Sequence, residues 1–164
     1  MRRAMSRPSI NFREDMMQIK PFGSLIAAAA VLCLSACASV PMAPPAADQS
    51  AKQFAPVADK ASVYIYRNES IGGAIKMGVY VDDKPIAQTA ANTYIYVLLA
   101  PGPHTIRSHA ENNSEVQLDA KAGEVYYLWQ EVKMGVMSAR SQLHRVDAAQ
   151  GRKGVRETKL VQNP

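Results

Sequence analysis

Asn92-Thr93-Tyr94-Ile95-Tyr96-Val97-Leu98-Leu99 is apolar or aromatic at both parities and is stopped at once by Ala100-Pro101-Gly102-Pro103. A short apolar run bounded by turn residues reads as a central strand buried on both faces. Around it lie further short segments of the same kind. Ser62–Arg67 is a first strand, and Lys76–Asp82 a second with Met77, Val79 and Val81 on one face. Asp82-Asp83-Lys84-Pro85 is a hairpin turn, because Asp side chains bond the local backbone, and Ile86–Thr89 returns from it. After the central strand come His104–Ala110, a turn at Asn112-Asn113, and a half-exposed strand alternating Val116 and Leu118 with Glu115, Gln117 and Asp119. Lys121-Ala122-Gly123-Glu124 turns into Val125–Val132, and Ser138–Val146 follows. Strands at this spacing predict an all-β, antiparallel β-sandwich of about seven to eight short strands. Beyond them, Asp147 can cap a short C-terminal helix, although Gly151 and Gly154 would each cost it about 1 kcal/mol against alanine. Leu160 and Val161 form either a closing edge strand or an extended tail.

Upstream the composition changes. Gly23–Leu34 is a twelve-residue apolar run preceded by Lys20 and closed by the small residues Ser35 and Ala36. It is shorter than the roughly 20 residues a membrane-spanning helix needs, and its three parts are those of a secretory signal peptide, residues 1–36. Glu14 and Asp15 sit unusually near the apolar run, so Met16 or Met17 is the alternative start, leaving Met-Gln-Ile-Lys as a compact basic region. Residues 38–60 are Ala-rich with Pro41, Pro44, Pro45 and Pro56 and have no apolar periodicity. They predict an extended linker of polyproline character with a reach of roughly 70 Å, leaving 61–164 as the domain.

Leu34-Ser35-Ala36-Cys37 resembles the lipobox of bacterial lipoproteins. The resemblance implies cleavage before Cys37, with Leu34, Ser35 and Ala36 as the peptidase recognition residues and acyl chains attached to Cys37. Membrane attachment through those chains would be firm, since two or more anchoring signals hold a protein stably where one does not. Ala38 in place of Asp is similar to outer-membrane sorting, which implies the periplasmic face of the outer membrane. Within the domain, Val-Tyr-Ile-Tyr-Arg at 63–67, Val-Tyr-Val-Asp-Asp-Lys-Pro-Ile at 79–86, Leu-Ala-Pro-Gly-Pro-His-Thr-Ile at 99–106 and Ala-Gly-Glu-Val-Tyr-Tyr-Leu at 122–128 resemble the bacterial lipoprotein module known as domain of unknown function 2846. The Pro-Gly-x-His and Ala-Gly-x-x-Tyr-Tyr elements also resemble PEGA and transthyretin-like β-modules. These resemblances imply a sandwich and an envelope location, and no activity.

Removing the leader's five basic and two acidic residues leaves 14 and 12, a formal charge of +2 against +5 for the whole chain. That lacks the basic stripe of a nucleic-acid binder. Cys33 leaves with the leader and Cys37 is acylated, so the mature chain has no disulfide. No Gly-x-Ser-x-Gly, His-Glu-x-x-His or phosphate loop is present, and the chain reads as no enzyme. His104 and His109 point to opposite faces of one strand, away from convergence on a metal; neither metal nor cofactor is expected. Asp82-Asp83 lacks the further carboxylates of a calcium loop.

Two surfaces are candidates for binding. All seven tyrosines lie in the β region, where Tyr64/Tyr66 and Tyr94/Tyr96 pair on shared faces near Trp129, while Tyr126 and Tyr127 point opposite ways. As a face they suit a glycan or hydrophobic ligand; as strand residues they suit packing. Arg152, Lys153, Arg156 and Lys159 form a basic cluster that can meet anionic lipid or cell-wall polymer. The function expected is therefore a lipid-anchored, non-enzymatic module presented to an envelope protein or the cell wall, the alternative being a ligand-binding sandwich.

Overall fold

The structure, a computed structural model, describes residues 39–163. The leader, the lipobox residues Leu34, Ser35 and Ala36, and Cys37 lie outside the described residues. The described chain runs α1 (Pro45–Ala51), β1 (Ala61–Arg67), β2 (Met77–Val81), β3 (Lys84–Thr89), β4 (Thr93–Leu99), β5 (Gly102–His109), β6 (Asn113–Ala120), β7 (Val125–Met134), β8 (Ala139–Val146), α2 (Ala148–Arg156) and β9 (Lys159–Leu160).

The strands form two sheets, one ordered β8-β7-β1-β4-β9 and the other β3-β2-β5-β6. Most pairings are antiparallel, as expected. Two are parallel: β1 with β7, and β4 with β9. The first arises because the chain leaves β1, builds β4 and the whole of the second sheet, and re-enters beside β1 in the same direction. The Asp82-Asp83 turn closes the β2–β3 hairpin with both residues at positive φ, 49° and 64°. Two successive left-handed residues match the twist of the flanking strands, and Asp tolerates that conformation better than most side chains.

Parity in β1, β4 and β7 divides the interior in two. Val63, Ile65, Ile95, Val97, Tyr126 and Leu128 point between the sheets and meet Val79, Val81, Ile106, Leu118 and Leu143. The alternate residues Tyr64, Tyr66, Tyr94 and Tyr127 point the other way and pack with Ala51, Phe54, Val155 and Leu160. The five-stranded sheet is therefore covered on both faces, by the second sheet and by the two helices, which is why every residue of β1 is buried.

The helix predicted after Asp147 is present, and the Asp147 carboxylate accepts the N–H of Gln150 at 2.9 Å. Its two glycines are explained by contact. A Cβ on Gly151 would lie 2.1 Å from Tyr127 Cγ, and one on Gly154 2.1 Å from Tyr66 Cε2. Their cost to helix propensity is offset by close seating on the tyrosine layer. Leu160 resolves the open alternative in favour of a short closing strand.

The extended linker over 38–60 is corrected. Residues 45–51 are helical and Phe54 is buried against Tyr64 and Tyr127. Lys52 bridges Asp48 at 2.9 Å and donates to the Thr158 carbonyl at 2.6 Å, while Asp48 accepts the Leu160 N–H at 2.9 Å. Tyr64 donates its hydroxyl proton to the Ala51 carbonyl at 2.7 Å. Burial opposes the charge on Asp48, but the Lys52 and Leu160 hydrogen bonds outweigh it and hold the carboxyl below its usual range. A seven-residue helix is too short to persist alone in water; these tertiary bonds hold it.

Candidate functional site

The tyrosine surface is an interior layer. Tyr64, Tyr66 and Tyr94 are buried beneath α1 and α2, and Tyr96 and Trp129 remain half-buried at its margins. Tyr64 stacks on Tyr127 with centroids 5.4 Å apart and lies 4.8 Å from Tyr96. Burial pushes the Tyr66 hydroxyl up to about 12 and those of Tyr64 and Tyr94 higher still. Packing thus accounts for three of the five residues proposed as a ligand face. Trp129 stacks on His144 at 5.2 Å.

The basic cluster is exposed on α2 and β9, as expected of a solvated face. Two of its members are also engaged: the guanidinium groups of Arg152 and Arg156 lie 5.6 and 5.5 Å from the Phe54 ring centroid, and Arg152 Nε donates to the Tyr127 hydroxyl at 3.3 Å. Lys153 and Lys159 carry no such contact among the described residues.

The three histidines occupy separate places. His109 pairs with Asn113 and His144 with Glu131, each at 2.7 Å. His104 is the more constrained. Its Nδ1 meets Asp82 Oδ2 at 2.6 Å and its Nε2 meets the Ala100 carbonyl at 2.8 Å. Both partners are acceptors, so satisfying both requires the doubly protonated ring. Burial opposes that charge, but the Asp82 and Ala100 bonds outweigh it and raise the pKa of His104. Asp82 also accepts the Thr105 N–H at 2.9 Å, and its carboxyl is held low chiefly by that bond and by His104. The pair locks the β2–β3 turn to β5.

The end of the sandwich where β1 finishes and β4 starts carries features that the sequence reading passed over. Arg67, fully buried, donates to three backbone carbonyls of the β1–β2 loop: Ile75 at 2.8 Å, Ile71 at 3.0 Å and Gly72 at 2.8 Å. Beneath it a buried hydrogen-bond chain joins the two sheets. It runs from Thr89 to Gln130 at 2.5 Å, Gln130 to Ser108 at 2.6 Å, and Ser108 to Ser141 at 2.7 Å. Above it project the β1–β2 loop and the β7–β8 hairpin, with an open groove of about 520 Å³ between them. The hairpin tip is apolar and in water: Met134 is 96%, Val136 90% and Met137 91% exposed, and Ile71 on the neighbouring loop is 73% exposed. The tip is nonetheless shaped, because the Glu111 carboxylate accepts the N–H groups of Val136, Met137 and Ser138 at 3.0, 2.8 and 2.6 Å. The sequence signal was Met-Gly-Val-Met where a hairpin turn ordinarily carries polar residues.

A second groove, of about 640 Å³, runs along the open edge between β3 and β4 past Pro85, Ile86, Tyr96 and Leu98. It exists because β9 pairs only with Thr93 and Tyr94. Among the described residues, the rest of β4 has no strand beside it on that edge. Among the described residues no helix is long and apolar enough to cross a membrane, and no three His, Cys, Asp or Glu side chains gather as metal ligands.

Comparison with known proteins agrees with the resemblance to domain of unknown function 2846 read from the strands. No solved structure matches the chain. A Haemophilus influenzae protein described only as uncharacterized is 35% identical over 132 residues, which is 79% of this chain and 79% of its own. Residues 57–142, from just before β1 into β8, match the family described as protein of unknown function (DUF2846). The chain belongs to that family.

Proposed function

We propose that the protein is a lipid-anchored envelope lipoprotein on the periplasmic face of the outer membrane, a non-enzymatic module that meets an envelope protein or the cell wall. The observation that carries this reading is Leu34-Ser35-Ala36-Cys37 at the end of a short apolar run with a basic flank. The reading gains support from the distance between that motif and the fold. Val40 is already buried in the inter-sheet core, and Met42 bridges Val161. Only Ala38 and Ser39 separate Cys37 from the core, so the module is held close to its anchor rather than extended on a long tether. The alternative, a ligand held on the tyrosine face, is disfavoured because Tyr64, Tyr66 and Tyr94 are already occupied by α1 and α2.

Fractionation of cells carrying Cys37→Ala tests the reading. The unaltered protein should remain in salt-washed membranes, whereas the variant should accumulate as uncleaved precursor or in the soluble periplasmic fraction. Mature-length Cys37→Ala protein retained in salt-washed membranes would overturn the anchor.

A further inference from the structure

We propose that the β7–β8 hairpin tip, Met134-Gly135-Val136-Met137, together with Ile71, inserts into the phospholipid leaflet that holds the anchor. This deepens the lipoprotein reading and rests on it. Four large apolar side chains gathered in water at one end of a small domain form a patch that calls for an apolar partner. The position of the chain's entry says which partner. Ser39 and Val40 lie beside Ala90–Thr93 at the start of β4. Asn92 Nδ2 donates to Ser70 Oγ at 3.4 Å, and a Cβ on Gly72 would lie 3.3 Å from Val132 and 3.5 Å from Ala139. These contacts form one continuous surface, from the entry point through the β1–β2 loop to the hairpin. The three residue steps from Cys37 to Val40 span at most about 11 Å, so an acylated Cys37 fixes this end of the sandwich at the bilayer and brings the tip to it.

The flanks fit a bilayer interface. Lys133 and Arg140 sit directly opposite each other at the base of the tip, where long cationic side chains can lay their stems along apolar surface and reach phosphate oxygens. Lys133 is paired with Glu131 at 2.7 Å, and Glu111 lies beside Arg140. The base therefore carries no large net charge, and insertion is driven by the apolar side chains rather than by anionic lipid.

Val136→Trp adds a reporter where nothing is packed, against a chain with one native tryptophan, Trp129. The full chain is expressed in bacteria and purified from the membrane or the soluble fraction, wherever it is found. It is placed with phosphatidylethanolamine/phosphatidylglycerol vesicles whose acyl chains are brominated or plain, and the N-terminal peptide of the same preparation is weighed. The expected result is acylated Cys37 with the added indole strongly quenched by brominated chains. Trp129, five residues down the strand and about 17 Å from Met134, should be little affected in the unaltered chain. The quenching should persist when salt rises from about 0.1 to 1 M, which shortens the Debye length from about 10 to 3 Å. Adding Met134→Ser and Met137→Ser should reduce it. Acylated Cys37 with emission identical in both vesicles would overturn the insertion and leave the anchor standing. The same identical emission with a concentration-dependent dimer seen by light scattering would assign the tip to a second copy instead. Cys37 free of lipid would overturn the anchor and the insertion with it.

Discussion

Replacing Gly154 by alanine should weaken the fold even though alanine is the better helix former. An added Cβ would sit 2.1 Å from Tyr66 Cε2 and 2.6 Å from Cδ2 and Cζ. Ordinary carbon–carbon contact is about 3.5–4.0 Å, so helix and ring must separate by roughly 1.5 Å. Tyr66 cannot yield, because it is buried on a strand flanked by β4 and β7. The helix must therefore lift, loosening Val155 against the tyrosine layer. Overpacking of this kind costs about 1–3 kcal/mol; helix propensity returns about 1 kcal/mol. The net expectation is a loss of up to about 2 kcal/mol, a fall of several degrees in melting temperature for a domain of this size. Gly151→Ala, facing Tyr127 at 2.1 Å, should behave alike. One lift relieves both clashes, so the double variant should cost little more than the worse single, a departure from additivity expected of coupled neighbours. Lys153→Ala, on the exposed side of the same helix, is the control and should be near neutral. Urea unfolding followed by circular dichroism measures all four. If Gly154→Ala is stabilised by the propensity gain alone, α2 is not seated on Tyr66 and the tyrosine face is open after all.

Two further outcomes follow from the buried and paired charges. Arg67→Met removes donors from three loop carbonyls. Each such charge-assisted bond contributes about 1.5–3 kcal/mol, with partial recovery as the loop hydrates, so a loss of roughly 2–4 kcal/mol should accompany faster tryptic cleavage after Lys76; unchanged cleavage would show that Arg67 does not hold the loop. The raised pKa of His104 means that its contribution is complete below about 6.5, the unfolded value, and is lost as pH rises through the folded value. The lowered pKa of Asp82 has the opposite sense, its contribution being present above its unfolded value and lost as pH falls. The unfolding midpoint should thus decline as pH rises above about 6.5 in the native chain and much less in His104→Gln; equal declines would assign the effect to other groups.

The β framework was legible because alternation and turn chemistry act locally. Val63, Ile65, Tyr64 and Tyr66 announce a strand with two apolar faces, and Asp82-Asp83 announces its turn. Even the opposed directions of Tyr126 and Tyr127 follow from strand geometry alone. What covers the second face was not legible. α1 has no apolar stripe of its own, only Ala51 and the following Phe54, and its order comes from Asp48, Lys52 and Tyr64 bonds to distant residues. The glycines of α2 counted against a helix until the tyrosine rings beneath them were placed. Nor could sequence alone show the parallel pairing of β1 with β7, which is set by how the second sheet is threaded. The Thr89–Gln130–Ser108–Ser141 chain is assembled from residues whose successive bonds span 41, 22 and 33 positions, beyond the reach of any local pattern, and the Arg67 bonds, though only 4 to 8 positions long, depend on the β1–β2 loop folding back over the buried end of β1. The exposed hairpin was readable in principle, since Met-Gly-Val-Met is a poor choice for a turn in water.

The most direct test of the account is the mass of the N-terminal peptide of the protein taken from growing cells. The account predicts a chain that begins at Cys37 and carries acyl chains on that residue, which would place the end bearing Ser39, Ile71 and the β7–β8 tip at the bilayer. A chain that begins elsewhere, or begins at Cys37 with an unmodified thiol, would contradict it.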